Sequence, residues 1–226
     1  MKNMPLEDTV ALIWFFCAWA GYSWLADTPR YMKDSLLGRT AHFRHYWVHE
    51  MTQRENRIMD VNIVSTLMQS TAFMASTTIF IVAGLLAILS AQDTVLAILK
   101  NIPFAVKTSP FLFNVKILTL IVVFIYAFFK HTWSMRQLNY TAILIGATPY
   151  GEKINEKNAM IERLFHLSSM SGKHFNRGMR AYYFGLAALS WFIHPYWFMG
   201  LTFWTVLVLY RREFLSKLVR LLGLSS

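Results

Sequence analysis

The stretch NIVSTLMQSTAFMASTTIFIVAGLLAIL, residues 62–89, decides the fold. It is longer than the about 20 helical residues that cross the ~30 Å hydrocarbon layer of a membrane. A helix turns by about 100° per residue, so the main polar side chains of this stretch fall within an arc of about 80°. These side chains, called the polar stripe below, are Asn62, Thr66, Gln69 and Ser76. Because lipid cannot solvate amides and hydroxyls, the polar stripe is expected to meet another helix, another subunit or a wet cavity.

The composition of the whole chain is typical of an integral membrane protein. Of its 226 residues, 55% are hydrophobic and 16% are aromatic, which is too apolar for an ordinary soluble domain of this size. Four apolar stretches have the length of membrane spans, and they lie at residues 6–25, 63–89, 111–129 and 181–210. The last stretch is broken in its middle by His194 and Pro195. The sequence therefore predicts an all-α transmembrane helical bundle of four spans in a single domain, residues 1–226.

The first apolar stretch is interpreted as a retained membrane helix rather than a signal peptide. Glu7 and Asp8 stand where a signal peptide carries basic residues. Cys17, the single cysteine, lies inside this stretch, so no intrachain disulfide and no zinc site on thiolates can form. The net charge of +10 is spread over the connectors between spans, which favours anionic lipid headgroups over nucleic acid as partners.

The distribution of Lys and Arg predicts an orientation, because basic connectors tend to stay on the cytoplasmic side of a membrane. Six basic residues lie in the connector 26–62 and eight lie in 130–180, whereas the connector between them has only Lys100 and Lys107. We therefore expect the amino terminus outside and the two long connectors in the cytoplasm, with the chain in a bacterial inner membrane.

The basic carboxyl-terminal tail bears on two interpretations of the broken stretch. A hairpin that turns at His194 and Pro195, re-entrant or compressed, would return the tail to the cytoplasm, and proline favours a break because it lacks an N–H. One long proline-kinked helix is the other interpretation, which membrane bundles tolerate. The charge placement favours the hairpin, with the carboxyl terminus in the cytoplasm.

Start and stop signals predict helices in the connectors as well. A short helix that begins at Pro29 is expected to end near Gly38, and Thr40 is expected to cap the next helix. Further helical segments are expected at residues 93–102, 129–145 and 152–170. The last of these is expected to end at Ser171 and Gly172. The second and third spans should therefore extend into the cytoplasm as long helices.

Two segments carry a resemblance to a known family. The first has polar residues before the second span and small or apolar residues within it: Met51, Arg54, Asn56, Arg57, Asp60, Leu67, Met68, Ser70, Phe73, Met74, Ala75 and Ser76. The second belongs to the third span and its extension, and it comprises Phe128, Phe129, His131, Ser134, Arg136 and Asn139. Over most of its length the chain resembles the membrane family called domain of unknown function 599. The resemblance implies a multi-spanning helical fold and no established activity.

The third span carries a polar face that is able to pair with the polar stripe. Its members are Lys116, Thr119, Lys130 and Ser134. If the two faces line one pore or substrate path, the lysines at its mouths favour anions. The alternative is helix packing, in which such side chains bond across an interface for ~1 kcal/mol each. Lys130 and Arg136 would then only mark the cytoplasmic boundary.

A cluster of charged and amide side chains flanks the cytoplasmic ends of the second and third spans. It comprises Arg54, Asn56, Arg57, Asp60, Arg136 and Asn139. One hypothesis is that the cluster binds a lipid phosphate, because Arg suits bidentate contact with a phosphate. The other is a structural network that clamps the second helix to the third through Arg136 and Asn139.

Three histidines, His42, His45 and His49, share one face of a predicted connector helix. Such a ladder is able to hold a metal or to sense pH, but the neighbouring Phe43 and Trp47 favour a plain interfacial face. We predict no cofactor. The sequence contains no hydrolase, phosphate-binding or zinc-protease motif, so an enzyme is the less favoured class.

The favoured hypothesis for function is a homo-oligomeric channel or transporter for a small solute or ion, with anions preferred. Several subunits are expected because so few spans hardly enclose a path alone. A non-catalytic accessory or scaffold subunit of a membrane complex is the alternative, with the polar stripe as a dry seam. A His-dependent membrane metalloenzyme is the third hypothesis.

Overall fold

The computed structural model describes residues 4–99, 101, 108–149 and 154–223, with the backbone alone for 154–157. Every regular element in these ranges is helical, which confirms the prediction of an all-α fold. The helices are α1 (Leu6–Asp27), α2 (Pro29–Met32), α3 (Leu36–Gln53), α4 (Ile58–Ser90), α5 (Gln92–Leu99), α6 (Pro110–Ala147), α7 (Ile154–Leu189), α8 (Pro195–Phe214) and α9 (Lys217–Leu222). A 3₁₀ helix, Ser190–Phe192, joins α7 to the turn before α8.

Three of the described helices are long and apolar enough to cross a membrane: α1, α4 and α6. They contain the first three predicted spans. With 33 residues in α4 and 38 in α6, both exceed the about 20 residues of one crossing, as the pattern of the connectors predicts.

The fourth apolar stretch is divided between two helices. The 3₁₀ helix follows α7, and His194 takes an extended backbone conformation before α8 begins at Pro195. The ring of Trp191 stacks on that of Phe198, with 4.9 Å between centroids, and Tyr183 on α7 accepts a hydrogen bond from Arg212 on α8. The chain therefore reverses at this break, and α8 lies beside the end of α7.

The predicted boundary between the first two connector helices is wrong. Ser35 caps α3, because its Oγ accepts a hydrogen bond from the Gly38 amide at 3.1 Å. Thr40 lies inside α3 instead, where its hydroxyl donates to the carbonyls of the preceding turn at 2.9 Å. The predicted helix 93–102 corresponds to α5, and its end at residue 102 lies outside the described residues.

The prediction that a helix ends at Ser171 and Gly172 is also wrong. The helix continues through both residues as α7, because this part of α7 is enclosed by α3 on one side and α6 on another. Packing on two sides offsets the low helix propensity of glycine, about 1 kcal/mol relative to alanine. The start of the predicted helix at 152 and 153 lies outside the described residues.

The central helix is α6, which packs against both α4 and α7. An apolar cluster surrounds its first half, and the largest side chains of that cluster are Phe15, Phe113, Phe184, Trp191 and Phe198. A second apolar cluster surrounds its last part and comprises Val48, Met51, Val64, Leu138, Ile145, Ile161 and Leu164. Between the clusters, α6 buries the polar side chains of His131 and Ser134. A polar layer therefore separates two apolar cores, and the candidate site lies at this layer.

Candidate functional site

The polar stripe lies on the outer surface of the chain. Its four members are all exposed, whereas α4 turns Val64, Thr71 and Ala75 inward. At about 100° per residue, the stripe and the buried side are about 180° apart. Because α4 packs on α6 through its buried side, the polar stripe does not face α6 within the chain.

Two hydroxyls of this exposed side of α4 are satisfied by their own helix. Thr66 Oγ1 donates to the Asn62 carbonyl at 3.0 Å, and Ser70 Oγ donates to the Thr66 carbonyl at 3.0 Å. Such bonds remove the need for an outside partner. The Gln69 amide, by contrast, has no hydrogen-bond partner among the described residues. The expectation that lipid-facing polar groups need a partner outside their own helix therefore applies to Gln69 and not to Thr66.

The predicted polar face of α6 is directed into the bundle. Lys116 is 2% exposed, and its Nζ donates to the Trp191 carbonyl at 2.7 Å and lies 3.8 Å from Asp8 Oδ1. The Trp191 indole also donates to Asp8 Oδ1, at 2.7 Å. Thr119 donates to the Val115 carbonyl at 2.8 Å. These contacts place the first half of the face inside the bundle, where its polar groups are hydrogen-bonded.

The other two members of this face lie at the polar layer. Ser134 is fully buried, and its Oγ donates to the carbonyl of Ser171 on α7 at 2.9 Å. The Lys130 ammonium lies over the Tyr126 ring, 5.0 Å from its centroid. The structure thus joins this face to α1 and α7, and it does not bring the face together with the polar stripe.

The predicted cytoplasmic cluster separates into structural contacts. Asp60 is fully buried and accepts hydrogen bonds from Arg54 Nη1 at 2.7 Å and from the indole of Trp47 at 2.8 Å. Arg57 donates to the carbonyl of Ile145 in the last turn of α6 and to those of Thr148 and Pro149, which follow the helix. Asn56 accepts from the amide of Ile58 at the start of α4, at 3.0 Å. The clamp onto α6 is therefore made by Arg57, while Arg136 and Asn139 are both exposed.

The three histidines of α3 have different neighbours. The ring of His42 packs on Tyr46 with 4.7 Å between centroids, and His45 Nε2 lies 3.7 Å from Glu162 on α7. His49 lies beside Glu50 and the Gln53 amide. Within the part of the chain that the structure describes, no group of three or more His, Cys, Asp and Glu side chains is placed to hold a metal.

A cavity of about 460 Å³ lies where α3, α4, α6 and α7 meet, and we take it as the candidate site. One guanidinium, that of Arg44 on α3, projects into it, and Ser134 and Ser171 line it at the polar layer. Among the described residues of the lining, none is Asp or Glu. The structure thus offers a cavity of ligand-binding size with a single charged side chain.

The Arg44 guanidinium uses only part of its hydrogen-bond donors within the described residues. Its Nη1 donates to the Ser168 carbonyl at 3.2 Å, and no carboxylate of the described chain lies within 4 Å of the guanidinium. Burial lowers the pKa of Arg44 from its ordinary value, but an arginine in a protein stays protonated. A half-buried guanidinium with no carboxylate partner among the described residues attracts an anion.

The position of the guanidinium depends on Gly172. A Cβ at residue 172 would stand 2.2 Å from Arg44 Nη1, so any side chain there would push the guanidinium away. This close approach explains why glycine occupies the middle of α7 at the level of the cavity.

The hydroxyls around the cavity already have partners. Ser134 and Ser171 bond each other at 2.9 Å, and Thr141 donates to the Gln137 carbonyl at 2.9 Å. Asn176 also lines the cavity, and its amide has no hydrogen bond within the described chain. Arg44 and Asn176 are therefore the donors available to a ligand.

A family model described as Protein of unknown function, DUF599, matches residues 10–218. The chain belongs to this family. The match includes all four helices that line the cavity. Comparison with curated proteins and with solved structures gives no match.

Sequence reasoning missed the cavity of this DUF599 protein. Arg44 counted only as one of six basic residues of a connector, and Gly172 was interpreted as a helix stop. A signal was present in the placement of a basic residue between Phe43 and Trp47, which is unusual for a fully solvated helix face. Nothing in the sequence, however, indicates that Gly172 lies against Arg44, since the two are far apart along the chain.

Proposed function

We propose that this chain is an integral membrane transport protein for an anionic solute, and that the solute binds in the Arg44 cavity. The observation that carries the proposal is an Arg44 guanidinium that has no carboxylate partner among the described residues and lines a cavity of about 460 Å³. An anion bound there would gain charge-assisted hydrogen bonds, which contribute about 1.5–3 kcal/mol each. The family description names no activity, so the proposal rests on the cavity alone.

In this proposal the Arg44 cavity, and not the polar stripe, is the binding site. The expected orientation of the chain in the membrane is unchanged. We propose that the amino terminus lies outside a bacterial inner membrane and that the α7–α8 hairpin enters and leaves the membrane as a fourth, re-entrant element. The packing of α9 against α3 supports a tail on the same side as the long basic connectors. In a homo-oligomer, the polar stripe would lie between subunits or along a shared path.

The test is transport by purified protein in phosphatidylcholine vesicles, with chloride, inorganic phosphate and a fluorescent phosphatidic acid as alternative anions. We expect at least one of them to cross faster with the protein present. Arg44→Gln should lower that rate about tenfold, the value of one charge-assisted hydrogen bond. Arg136→Gln is the matched control, because it removes an exposed guanidinium outside the cavity, and its rate should be close to that of the native chain.

Two outcomes would overturn the proposal. One is that none of the three anions crosses faster than in protein-free vesicles. The other is that Arg44→Gln and Arg136→Gln lower the rate equally, which would indicate a general effect of surface charge rather than a site.

A scaffold or accessory subunit is the second candidate, and the self-satisfied hydroxyls of α4 favour it. Thr66 and Ser70 need no water, so the exposed side of α4 suits a dry seam with another membrane helix. Gln69→Leu should then release a copurifying subunit while leaving Arg44-dependent transport intact. Copurification unchanged by Gln69→Leu would remove this candidate.

A further inference from the structure

We infer that the anion held by Arg44 is the phosphate of a membrane lipid, with the acyl chains of that lipid against the apolar wall of the same cavity. The inference rests on the proposed function, because it names the solute of that site. Three features of the described residues support it: the depth of the cavity, the distribution of polar and apolar groups around it, and the free edge of the guanidinium.

The cavity lies at the level expected for lipid headgroups. About 20 helical residues cross the hydrocarbon, so a crossing that starts at Pro110 ends near Lys130. Ser134 lies about one turn further along α6, at ~1.5 Å per residue, and lines the cavity. Trp133 and Tyr140 are exposed on α6 at this level, as aromatic residues are at membrane interfaces.

One wall of the cavity is apolar and reaches the outer surface. Phe43 on α3 and Ile63 and Leu67 on α4 line the cavity, yet they are 39%, 40% and 45% exposed. Because these exposed side chains belong to α3 and α4, the cavity reaches the outer surface beside these two helices. A free hydrated anion gains nothing from this wall, whereas acyl chains bury apolar surface against it.

One edge of the Arg44 guanidinium has no partner among the described residues. Nη1 is engaged by the Ser168 carbonyl, and Nε and Nη2 have no partner within the described chain. These two donors form one edge of the fork, which matches two oxygens of a phosphate. Asn176 adds a neutral donor on the α7 side of the cavity.

Binding to the purified protein in detergent, measured by native mass spectrometry, separates the parts of the ligand. Phosphatidic acid carries phosphate and chains, diacylglycerol carries the chains alone, and glycerol phosphate carries the phosphate alone. We expect phosphatidic acid to bind at least about tenfold more tightly than either fragment. Arg44→Gln should weaken phosphatidic acid about tenfold and leave diacylglycerol unchanged.

Two further variants keep the test independent of the folding of one mutant. Gly172→Ala should displace the guanidinium and weaken the binding of phosphatidic acid in the same way, since its Cβ would stand 2.2 Å from Nη1. Leu67→Trp should fill the apolar wall and weaken phosphatidic acid while leaving the affinity for glycerol phosphate unchanged. Arg136→Gln remains the control that should bind all three as the native chain does.

The outcomes distinguish this inference from the proposed function. If glycerol phosphate binds as tightly as phosphatidic acid in an Arg44-dependent manner, the lipid inference is overturned and an anion site remains. If no ligand depends on Arg44, both the inference and the proposed function are overturned.

Discussion

Five arginines of this chain have the same chemistry and three different structural roles. Arg54 pairs with Asp60, and Arg57 binds the carbonyls at the end of α6. Arg177 and Arg180 share Asp27, with Nε of the first at 2.6 Å and Nη1 of the second at 3.0 Å from its oxygens. Within the described residues, Arg44 alone of the five contacts neither a carboxylate nor several carbonyls. Arg44 therefore differs from the other four in the donors that its neighbours leave free.

His174 should make the stability of the protein depend on pH. Burial, assisted by the positive charges of Lys130, Arg177 and Lys173, lowers the pKa of His174 to about 4, against an opposing effect of Asp27. Between about pH 6.5 and pH 4, the unfolded chain then binds a proton that the folded chain does not, so the free energy of unfolding decreases as the pH falls.

The check is the unfolding temperature of the native protein and of His174→Gln in detergent, measured between pH 7 and pH 4. We expect the variant to lose less stability over this interval, because glutamine does not titrate. Equal losses in the two proteins would contradict a neutral folded His174.

At the scale of elements, the close contact of α6 with α7 depends on small residues. His131 is fully buried on α6 between Phe175 and Tyr182, with ring centroids 5.4 and 5.7 Å away. A Cβ at Gly178 would stand 2.6 Å from His131 Nε2, closer than atoms pack. The aromatic neighbours leave the imidazole little room to move.

Gly178→Ala should therefore destabilise the protein. The overpacking costs about 1–3 kcal/mol, which exceeds the ~1 kcal/mol that alanine gains over glycine in a helix. Gly84→Ala on α4 is the matched control, because no atom of the described residues lies within 4 Å of a Cβ there, and it should be neutral or slightly stabilising. Thermal unfolding of the two variants in detergent measures the difference, and equal unfolding temperatures would contradict the close contact.

At the scale of the whole molecule, one buried network joins the start of the chain to its last third. Asp8 on α1 accepts from Trp191 in the 3₁₀ helix, 183 positions away, and Lys116 on α6 contacts both. The network fixes three elements at one level of the bundle. Both charged side chains are almost fully buried, at 4% and 2% exposure.

Removing one charge of this network should cost more than removing both. Lys116→Met leaves Asp8 buried without a counter-ion, and we expect a loss of about 3–5 kcal/mol. The double variant Asp8→Asn with Lys116→Met should recover part of that loss, since no charge remains unpaired. Thermal unfolding in lipid nanodiscs measures the cycle, and additive losses would contradict a coupled pair.

The sequence by itself determined the all-α fold, the first three of the four predicted spans, the break at His194 and Pro195, and the family. Helix propensity, hydropathy and proline chemistry act over a few neighbouring residues, so their effects can be predicted from the sequence. Only the tertiary structure decided that the polar stripe faces outward, that α7 continues through Gly172, and that Arg44 lines a cavity with no counter-ion among the described residues. Each of these depends on which helix faces meet, and that is settled by contacts between residues far apart in the chain.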